Sequence, residues 1–299
     1  MADWVASIEG TEAAAFWAAV LALISAAAHA TFGALQKGRY NPWHVRGAID
    51  VSYMIIALPV ALFVAPWPEP RLWIIFAGVW VIHLIYKLLM AMAYQRGAFT
   101  AVYPVVRGTG PLVTVIFAAL IFAEHFAPLQ WAGVLLLSGA ILSLAYVNIR
   151  AEQVDRATLS AALVLAFITG IATATYTVYD AWGIRQASDP FTFLAWFFVI
   201  DGSMFPLISL WMWSRDPNRP APLPLMLRGF AGGVIGLASF GCVMMATRLD
   251  KVGEAATLRE TSVVFAALIG WFFLGERVGL IRAALMVLIA MGAVLVEFG

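Results

Sequence analysis

The feature that most constrains this chain is a series of ten long apolar runs, separated from one another by short polar segments. A helix needs roughly 20 apolar residues to cross a bilayer core, and each run is about that long. We predict membrane spans at about 13–36, 45–65, 71–95, 98–122, 126–148, 158–184, 190–213, 224–249, 252–274 and 278–297. The runs are continuous and lack the period-2 alternation of membrane strands. The prediction is therefore an all-α polytopic membrane protein with ten transmembrane helices.

The composition excludes several other classes of protein. Only 12% of the 299 residues are charged, whereas about a quarter are charged in an ordinary soluble domain. The net charge of +1 provides no surface for the phosphates of a nucleic acid. The single cysteine, Cys242, has no partner for an internal disulfide. We expect no metal and no cofactor, and we expect the lipid bilayer to be the main surrounding of the chain.

Basic residues in the predicted loops indicate the orientation of the chain. Residues 1–12 contain three acidic residues and no Lys or Arg, so we interpret the first run as a retained helix rather than a signal peptide. The loops on one side hold Lys37, Arg39, Arg46, Arg96, Arg150, Arg156, Arg215, Arg219, Arg228, Arg277 and Arg282. Those on the other side hold Arg71, Arg185, Arg248 and Lys251. Basic loops stay in the cytoplasm, so both termini are predicted on the non-cytoplasmic side of a bacterial inner membrane.

The two halves of the chain resemble each other when one is shifted by 152 residues. The shift aligns Met92 with Met244, Arg96 with Arg248, Arg107 with Arg259, Thr109 with Thr261 and Glu124 with Glu276. Each half holds five predicted helices, and an odd number inserts the second half upside down. We predict an inverted repeat with a first unit at 1–149, a cytoplasmic linker at 150–157 and a second unit at 158–299. The alternative is that two apolar segments look alike by composition.

Two short stretches carry a resemblance to a known family. Leu274-Gly275-Glu276-Arg277 follows the ninth predicted helix, and Ala123-Glu124-His125 follows the fourth as a degenerate counterpart without Leu-Gly. With ten helices in two halves, this arrangement resembles the EamA-type members of the drug/metabolite transporter superfamily. The resemblance implies a cavity lined by the first, third and fourth helices of each half. It also implies transport of small metabolites, and one bacterial branch of the superfamily exports amino acids.

Six charged residues lie deep inside predicted spans: Lys87, Arg107, Asp180, Asp201, Arg259 and Glu260. A central charge costs at least about 2.5–3.5 kcal/mol on insertion scales, so it needs a partner or water. Arg107 and Arg259 lie about 13 Å and 10 Å from opposite ends of their spans, at 1.5 Å per residue. The planar guanidinium holds a carboxylate or phosphate by two bonds, which favours capture of an anionic substrate group. The alternative is that Glu260 or Asp180 neutralises each arginine.

Polar side chains near these charges define the predicted site. His83 and Lys87 share a helix face, as do Tyr103 and Arg107, because each pair is four residues apart. The predicted substrate-binding residues are His83, Tyr86, Lys87, Tyr103, Arg107, Tyr176, Tyr179 and Arg259. Asp180, Glu260 and His29 are predicted to pair charges or to carry a coupling proton. For each tyrosine and histidine the alternative is ordinary packing with a satisfied polar atom.

The sequence thus predicts a monomeric secondary transporter that exports amino acids or related amphipathic metabolites by alternating access. Its substrate is expected to be zwitterionic or anionic, and its coupling either to protons or to exchange without an ion. Alternative functions are a multidrug transporter, a transporter of organic anions or phosphorylated metabolites, and a channel or accessory subunit. An intramembrane enzyme is a further alternative. However, the chain has no His-Glu-x-x-His, Gly-x-Ser-x-Gly or Walker motif.

Overall fold

A computed structural model describes residues 2–36, 40–97, 99–150, 156–274 and 279–299 of the chain. Within these ranges the chain forms thirteen α-helices and no β-strand. Nine helical stretches in the described ranges are long and apolar enough to cross a membrane. The prediction of an all-α polytopic membrane protein is confirmed.

The helices follow the predicted spans closely. In chain order they are α1 (Ala2–Ile8), α2 (Glu12–Gln36), α3 (Pro42–Phe63), α4 (Pro70–Arg96), α5 (Phe99–Ile121), α6 (Pro128–Arg150), α7 (Arg156–Gln186), α8 (Pro190–Asp201), α9 (Phe205–Arg215), α10 (Pro222–Leu249), α11 (Val252–Arg259), α12 (Ser262–Leu274) and α13 (Leu280–Phe298). Proline stands at the start of several of them, where its missing N–H costs no intrahelical bond.

Two predicted spans differ from the expectation because each is divided into two helices. The span at 190–213 is interrupted between α8 and α9, and the span at 252–274 between α11 and α12. At the second break the amides of Glu260 and Thr261 donate to carbonyls only three residues back, at 3.0 and 3.1 Å. The Thr261 hydroxyl also donates to the Leu258 carbonyl, at 2.7 Å. Such side-chain competition and three-residue bonds end an α-helix.

Helices of the two halves pack in a symmetric pattern. Helix α2, at the start of the first half, packs against α10 and α12, and α7, at the start of the second half, packs against α4 and α5. Helices α6 and α13, the last of each half, pack against each other, as do α3 and α8. This is the pairing that an inverted repeat produces. It supports the repeat, which stays a prediction.

Glycine lets α10 lie directly on the backbone of α3. A Cβ atom at Gly229 would stand 2.6 Å from the carbonyl oxygen of Ala48, and one at Gly233 would stand 2.9 Å from the side chain of Ser52. Any larger side chain at Gly229 therefore requires the two helices to separate. Close contact of this kind is what small residues at helix interfaces provide in membranes.

At one end of the bundle two arginines cap each other's helices. Arg185, in the last turn of α7, donates to two carbonyl oxygens at the end of α10, at 2.9 and 2.6 Å. Arg248, in the last turn of α10, donates to two carbonyl oxygens at the end of α7, at 2.6 and 2.7 Å. Each cation thus satisfies carbonyls that a helix end leaves without partners.

The glutamate of the first-half motif caps a helix of the second half. Glu124 accepts hydrogen bonds from the amides of Val252 and Gly253, the first two residues of α11, at 2.8 and 3.2 Å. Ala123, just before it, adopts a φ of +53°, which is the left-handed conformation that ends many helices. The matching Gly275-Glu276-Arg277 of the second half lies outside the described residues, as do Lys37, Arg39 and most of the predicted linker.

Candidate functional site

A chain of buried ion pairs connects α3, α4 and α8 in the interior of the bundle. The Asp50 carboxylate is fully buried and lies 2.7 Å from the Arg46 Nε and 2.7 Å from the Lys87 Nζ. The Lys87 ammonium lies in turn 2.7 Å from the Asp201 carboxylate and donates to the Asp201 carbonyl oxygen at 2.7 Å. Lys87 is 2% exposed, so its charge depends on these partners.

His83 continues this chain to α7. Its Nδ1 lies 3.1 Å from a carboxylate oxygen of Asp201, and its Nε2 lies 2.9 Å from a carboxylate oxygen of Asp180. All three side chains are buried. A neutral imidazole has one N–H, so two carboxylate contacts require a second proton in the group. We call the six residues Arg46, Asp50, His83, Lys87, Asp180 and Asp201 the ion cluster.

Three residues of this region were missed at the level of the sequence. Arg46 was counted as a loop charge, but it lies in α3 with its side chain 17% exposed, which corrects its place in the orientation count. Asp50 is four residues further along the same helix, so the spacing of this pair was the available signal. Tyr53 lies one turn on, donates to the Asp201 carboxylate and accepts from the Lys87 ammonium at 3.1 Å.

Arg107 has a protein carboxylate as its partner. Its Nε lies 2.7 Å from Glu260, and its Nη2 donates to the Ser262 hydroxyl at 2.7 Å. Both partners lie at the break between α11 and α12, where the Arg259 carbonyl also accepts from Arg107 at 3.4 Å. The sequence left two alternatives for Arg107, capture of a substrate anion and neutralisation by a protein carboxylate. The structure shows the second arrangement at Arg107. Tyr103 lies under this guanidinium, with 5.7 Å between the ring centre and Cζ.

Arg259 has different surroundings, although it aligns with Arg107 in the repeat. Its Nη2 lies 3.2 Å from the Nδ1 of His29, and its Cζ lies 4.7 Å from the centre of the Phe240 ring. Within the described part of the chain, no carboxylate oxygen lies within 4 Å of its guanidinium, and its Nε has no hydrogen-bond acceptor. Arg259 is 3% exposed. It is therefore a buried cation in contact with a ring face and an imidazole nitrogen.

Aromatic side chains lie between the ion cluster and Arg259. Tyr176 is in contact with His83 and Tyr86, with 4.7 Å between ring centres in both pairs. On its other side Tyr176 lies 6.4 Å from Phe240, whose ring carries the Arg259 guanidinium. The two charged groups are thus joined by a short aromatic path.

A narrow cavity opens beside this path. Its lining residues are Phe32, Arg46, Ile49, Tyr53, His83, Tyr86, Phe197, Phe198, Asp201, Gly236 and Phe240. The space open to water is about 10 Å³, which is room for one molecule. The walls combine aromatic rings with a carboxylate, an imidazole and a guanidinium. In this conformation the cavity is closed to a larger ligand.

The structure brings most of the predicted site residues together in two groups. His83, Tyr86, Lys87, Tyr176 and Asp180 lie in or against the ion cluster. A second group lies around the break between α11 and α12 and consists of Tyr103, Arg107, Glu260, Arg259 and His29. Tyr179 lies apart from both groups, because its hydroxyl donates to the Ile75 carbonyl of α4 at 3.1 Å.

Comparison with known proteins gives a family for the second half of the chain. Residues 160–298 match the EamA-like transporter family. A solved structure titled only "Crystal structure of protein" has a TM-score of 0.72 to this chain, covers 95% of it and 96% of its own length, and is 16% identical. That likeness shows the fold alone. The search of curated proteins finds no match.

Proposed function

We propose, from the match of the second half of the chain to the EamA-like transporter family, that the protein is a secondary transporter of small zwitterionic metabolites. Amino acids with an apolar or aromatic side chain are the substrates that fit best. The observation that carries this proposal is the buried Arg259 guanidinium, which has no carboxylate partner within the described part of the chain. The substrate carboxylate supplies that partner.

The charge balance around the two arginines supports this role for Arg259. Arg107 already has the Glu260 carboxylate at 2.7 Å, so a substrate anion has little to add there. With His29 neutral, the group formed by His29, Arg107, Arg259 and Glu260 keeps one unbalanced positive charge. A buried unpaired cation is costly, and a bidentate carboxylate on the guanidinium removes that cost.

The walls of the cavity support an amphipathic substrate. Phe32, Phe197, Phe198 and Phe240 offer ring faces, and Tyr86 is buried beside them. These rings suit the apolar body of a substrate whose carboxylate binds Arg259 and whose amino group binds Asp201 in an open conformation that brings the two residues closer together. Because the cavity now admits about one water, binding and release require the halves to move apart.

Several features of the cellular setting belong to this proposal. The repeat units are 1–149 and 158–299, joined by a linker at 150–157, and they alternate in exposing the cavity to the two sides. The chain works as a monomer in the bacterial inner membrane, with both termini on the non-cytoplasmic side, and exports its substrate. No catalytic step and no cofactor are assigned, and protons are the proposed coupling ion.

The test is counterflow of radiolabelled amino acids in liposomes that contain the purified protein. We expect accumulation of phenylalanine or a similar amino acid, and loss of at least tenfold in its apparent affinity in Arg259→Gln. Arg185→Gln serves as the matched control, because Arg185 is a partly buried arginine that donates to helix-end carbonyls instead. Its affinity for the amino acid should stay within twofold of that of the unaltered protein.

Other outcomes of the same assay contradict the proposal. An unchanged affinity for the amino acid in Arg259→Gln contradicts binding of the substrate carboxylate at Arg259. Equal transport of phosphorylated or dicarboxylic anions without an amino group identifies an organic-anion transporter, which the unbalanced cation at Arg259 also favours. Preference for cationic drugs moves the substrate site to the carboxylates of Asp180 and Asp201.

A further inference from the structure

The ion cluster is one positive charge short unless it holds a proton. It contains three carboxylates, those of Asp50, Asp180 and Asp201, and two permanent cations, those of Arg46 and Lys87. A proton on the remaining member, His83, makes the cluster neutral. The geometry agrees, because both ring nitrogens of His83 lie at hydrogen-bond distance from a carboxylate.

We propose that Asp180, His83 and Asp201 form a cation site at which a proton and the ammonium group of the substrate replace each other. This inference rests on the proposed function and names the coupling reaction of the same site. His83 and Asp201 line the cavity and Asp180 lies against His83, so an ammonium group reaches them once the halves move apart. The Oδ1 of Asp180 is buried without a hydrogen-bond donor in the described part of the chain, which leaves an acceptor open beside His83.

The two permanent cations of the ion cluster stay paired whether or not His83 carries a proton. The groups that face His83 from the packed helices are Arg46, Asp50 and Tyr53 of α3, Tyr86 and Lys87 of α4, Tyr176 and Asp180 of α7, and Asp201 of α8. Arg46 and Lys87 share the Asp50 carboxylate, and Lys87 also holds Asp201. Neither cation needs to leave its partner when the proton on His83 is lost.

The exchange balances in protons and charge. The imidazolium of His83 releases one proton to water on the side to which the cavity is open, and becomes neutral. The ammonium group of the substrate, still charged, donates its N–H groups to Asp201 and Asp180. The cluster carries the same net charge before and after, so one proton moves for each substrate in the opposite direction.

The geometry also separates this site from the carboxylate site. Tyr176 and Phe240 lie between His83 and Arg259. The two charged groups of an α-amino acid stand on one carbon, so a single molecule occupies both sites only in a conformation that brings Arg259 and Asp201 together around it. The two contacts are therefore open to independent tests.

The experiment measures binding of two probes, phenylalanine and phenylalanine amide, to the detergent-purified protein from pH 5 to 6.5, where both probes keep a charged ammonium group. If the ammonium group replaces one proton, the affinity for phenylalanine should increase about tenfold for each unit by which the pH rises, as long as His83 is protonated in the empty site. In His83→Gln the affinity should not depend on pH over this range. His44→Gln is the matched control, because His44 is also buried and lies 2.9 Å from an aspartate, Asp216, outside the cluster. It should keep the pH dependence of the unaltered protein.

Each outcome bears on one of the two proposals. An equal pH dependence in His83→Gln and in the unaltered protein overturns the cation site, and so does phenylalanine binding that is independent of pH. Binding of phenylalanine amide as tight as that of phenylalanine, with the pH dependence kept, supports the cation site and contradicts the carboxylate role of Arg259. Failure of the unaltered protein to bind either probe at any pH overturns both.

Discussion

Removal of one charge from the buried ion cluster should destabilise the protein far more than removal of a charge from an exposed ion pair. Asp50 is fully buried, and each of its carboxylate oxygens lies 2.7 Å from a cation. Asp50→Asn leaves Lys87 and Arg46 with one carboxylate fewer. Loss of one partner from a buried ion pair costs about 3–5 kcal/mol. At about 2 °C per kcal/mol for a chain of this size, the midpoint of thermal unfolding should fall by roughly 6–10 °C.

A second substitution tests whether charge balance is the cause. Lys87→Met alone should also destabilise, because Asp50 and Asp201 both lose their shared cation. In the double variant Asp50→Asn with Lys87→Met, two cations and two carboxylates remain when His83 is protonated. The double variant should therefore be more stable than the sum of the single effects predicts, by about 2–3 kcal/mol.

The assay is thermal unfolding of the purified protein in detergent, followed by tryptophan fluorescence. Lys251→Met is the control, because Lys251 pairs with Glu254 at 2.7 Å but is 37% exposed. An exposed pair contributes about 0–1 kcal/mol, so this variant should lose less than about 2 °C. The reasoning is refuted when Asp50→Asn loses no more than Lys251→Met, or when the effects of Asp50→Asn and Lys87→Met simply add.

Three further variants test features of the fold by the same unfolding assay. Ala123→Gly should raise the midpoint by about 2 °C, because it removes a left-handed φ that costs a non-glycine residue about 1 kcal/mol; a lower midpoint contradicts this. Gly229→Val should cost about 1–3 kcal/mol because its Cβ meets the Ala48 carbonyl, whereas Gly241→Val on the same helix meets no atom within 4 Å and should change little. Glu124→Ala should cost about 1–2 kcal/mol by uncapping α11, and an unchanged midpoint would show that the cap has no net effect.

The helical architecture followed from the sequence because long apolar runs leave few alternatives in a bilayer. The two broken spans did not follow, because the breaks depend on local competition for carbonyls. At Thr261 that competition involves a hydroxyl whose rotamer no periodicity reveals. Mean hydropathy is taken over a whole window, so an irregular backbone of two or three residues does not alter it.

The site was predicted less completely than the fold. The six charges in the spans identified the region, and all six lie in the two polar groups together with His83. Which charge neutralises which was beyond the sequence, because Glu260 lies beside Arg259 in the chain but binds Arg107. Asp50 was missed although its i, i+4 spacing from Arg46 was visible, since Arg46 had been assigned to a loop.

The position of the ion cluster has a consequence for the energy of the transport cycle. An inverted repeat with identical halves would give inward-open and outward-open states of equal energy, because a twofold rotation would convert one state into the other. Arg107 and Arg259 keep that symmetry in sequence, but His83 and Lys87 align with Ile235 and Ser239, and Asp201 aligns with Ile49. The contacts of the ion cluster thus have no counterpart at the aligned positions of the other half. Under the proposed alternating access, this asymmetry predicts that the two openings differ in energy, and that the opening which keeps more contacts of the ion cluster is favoured.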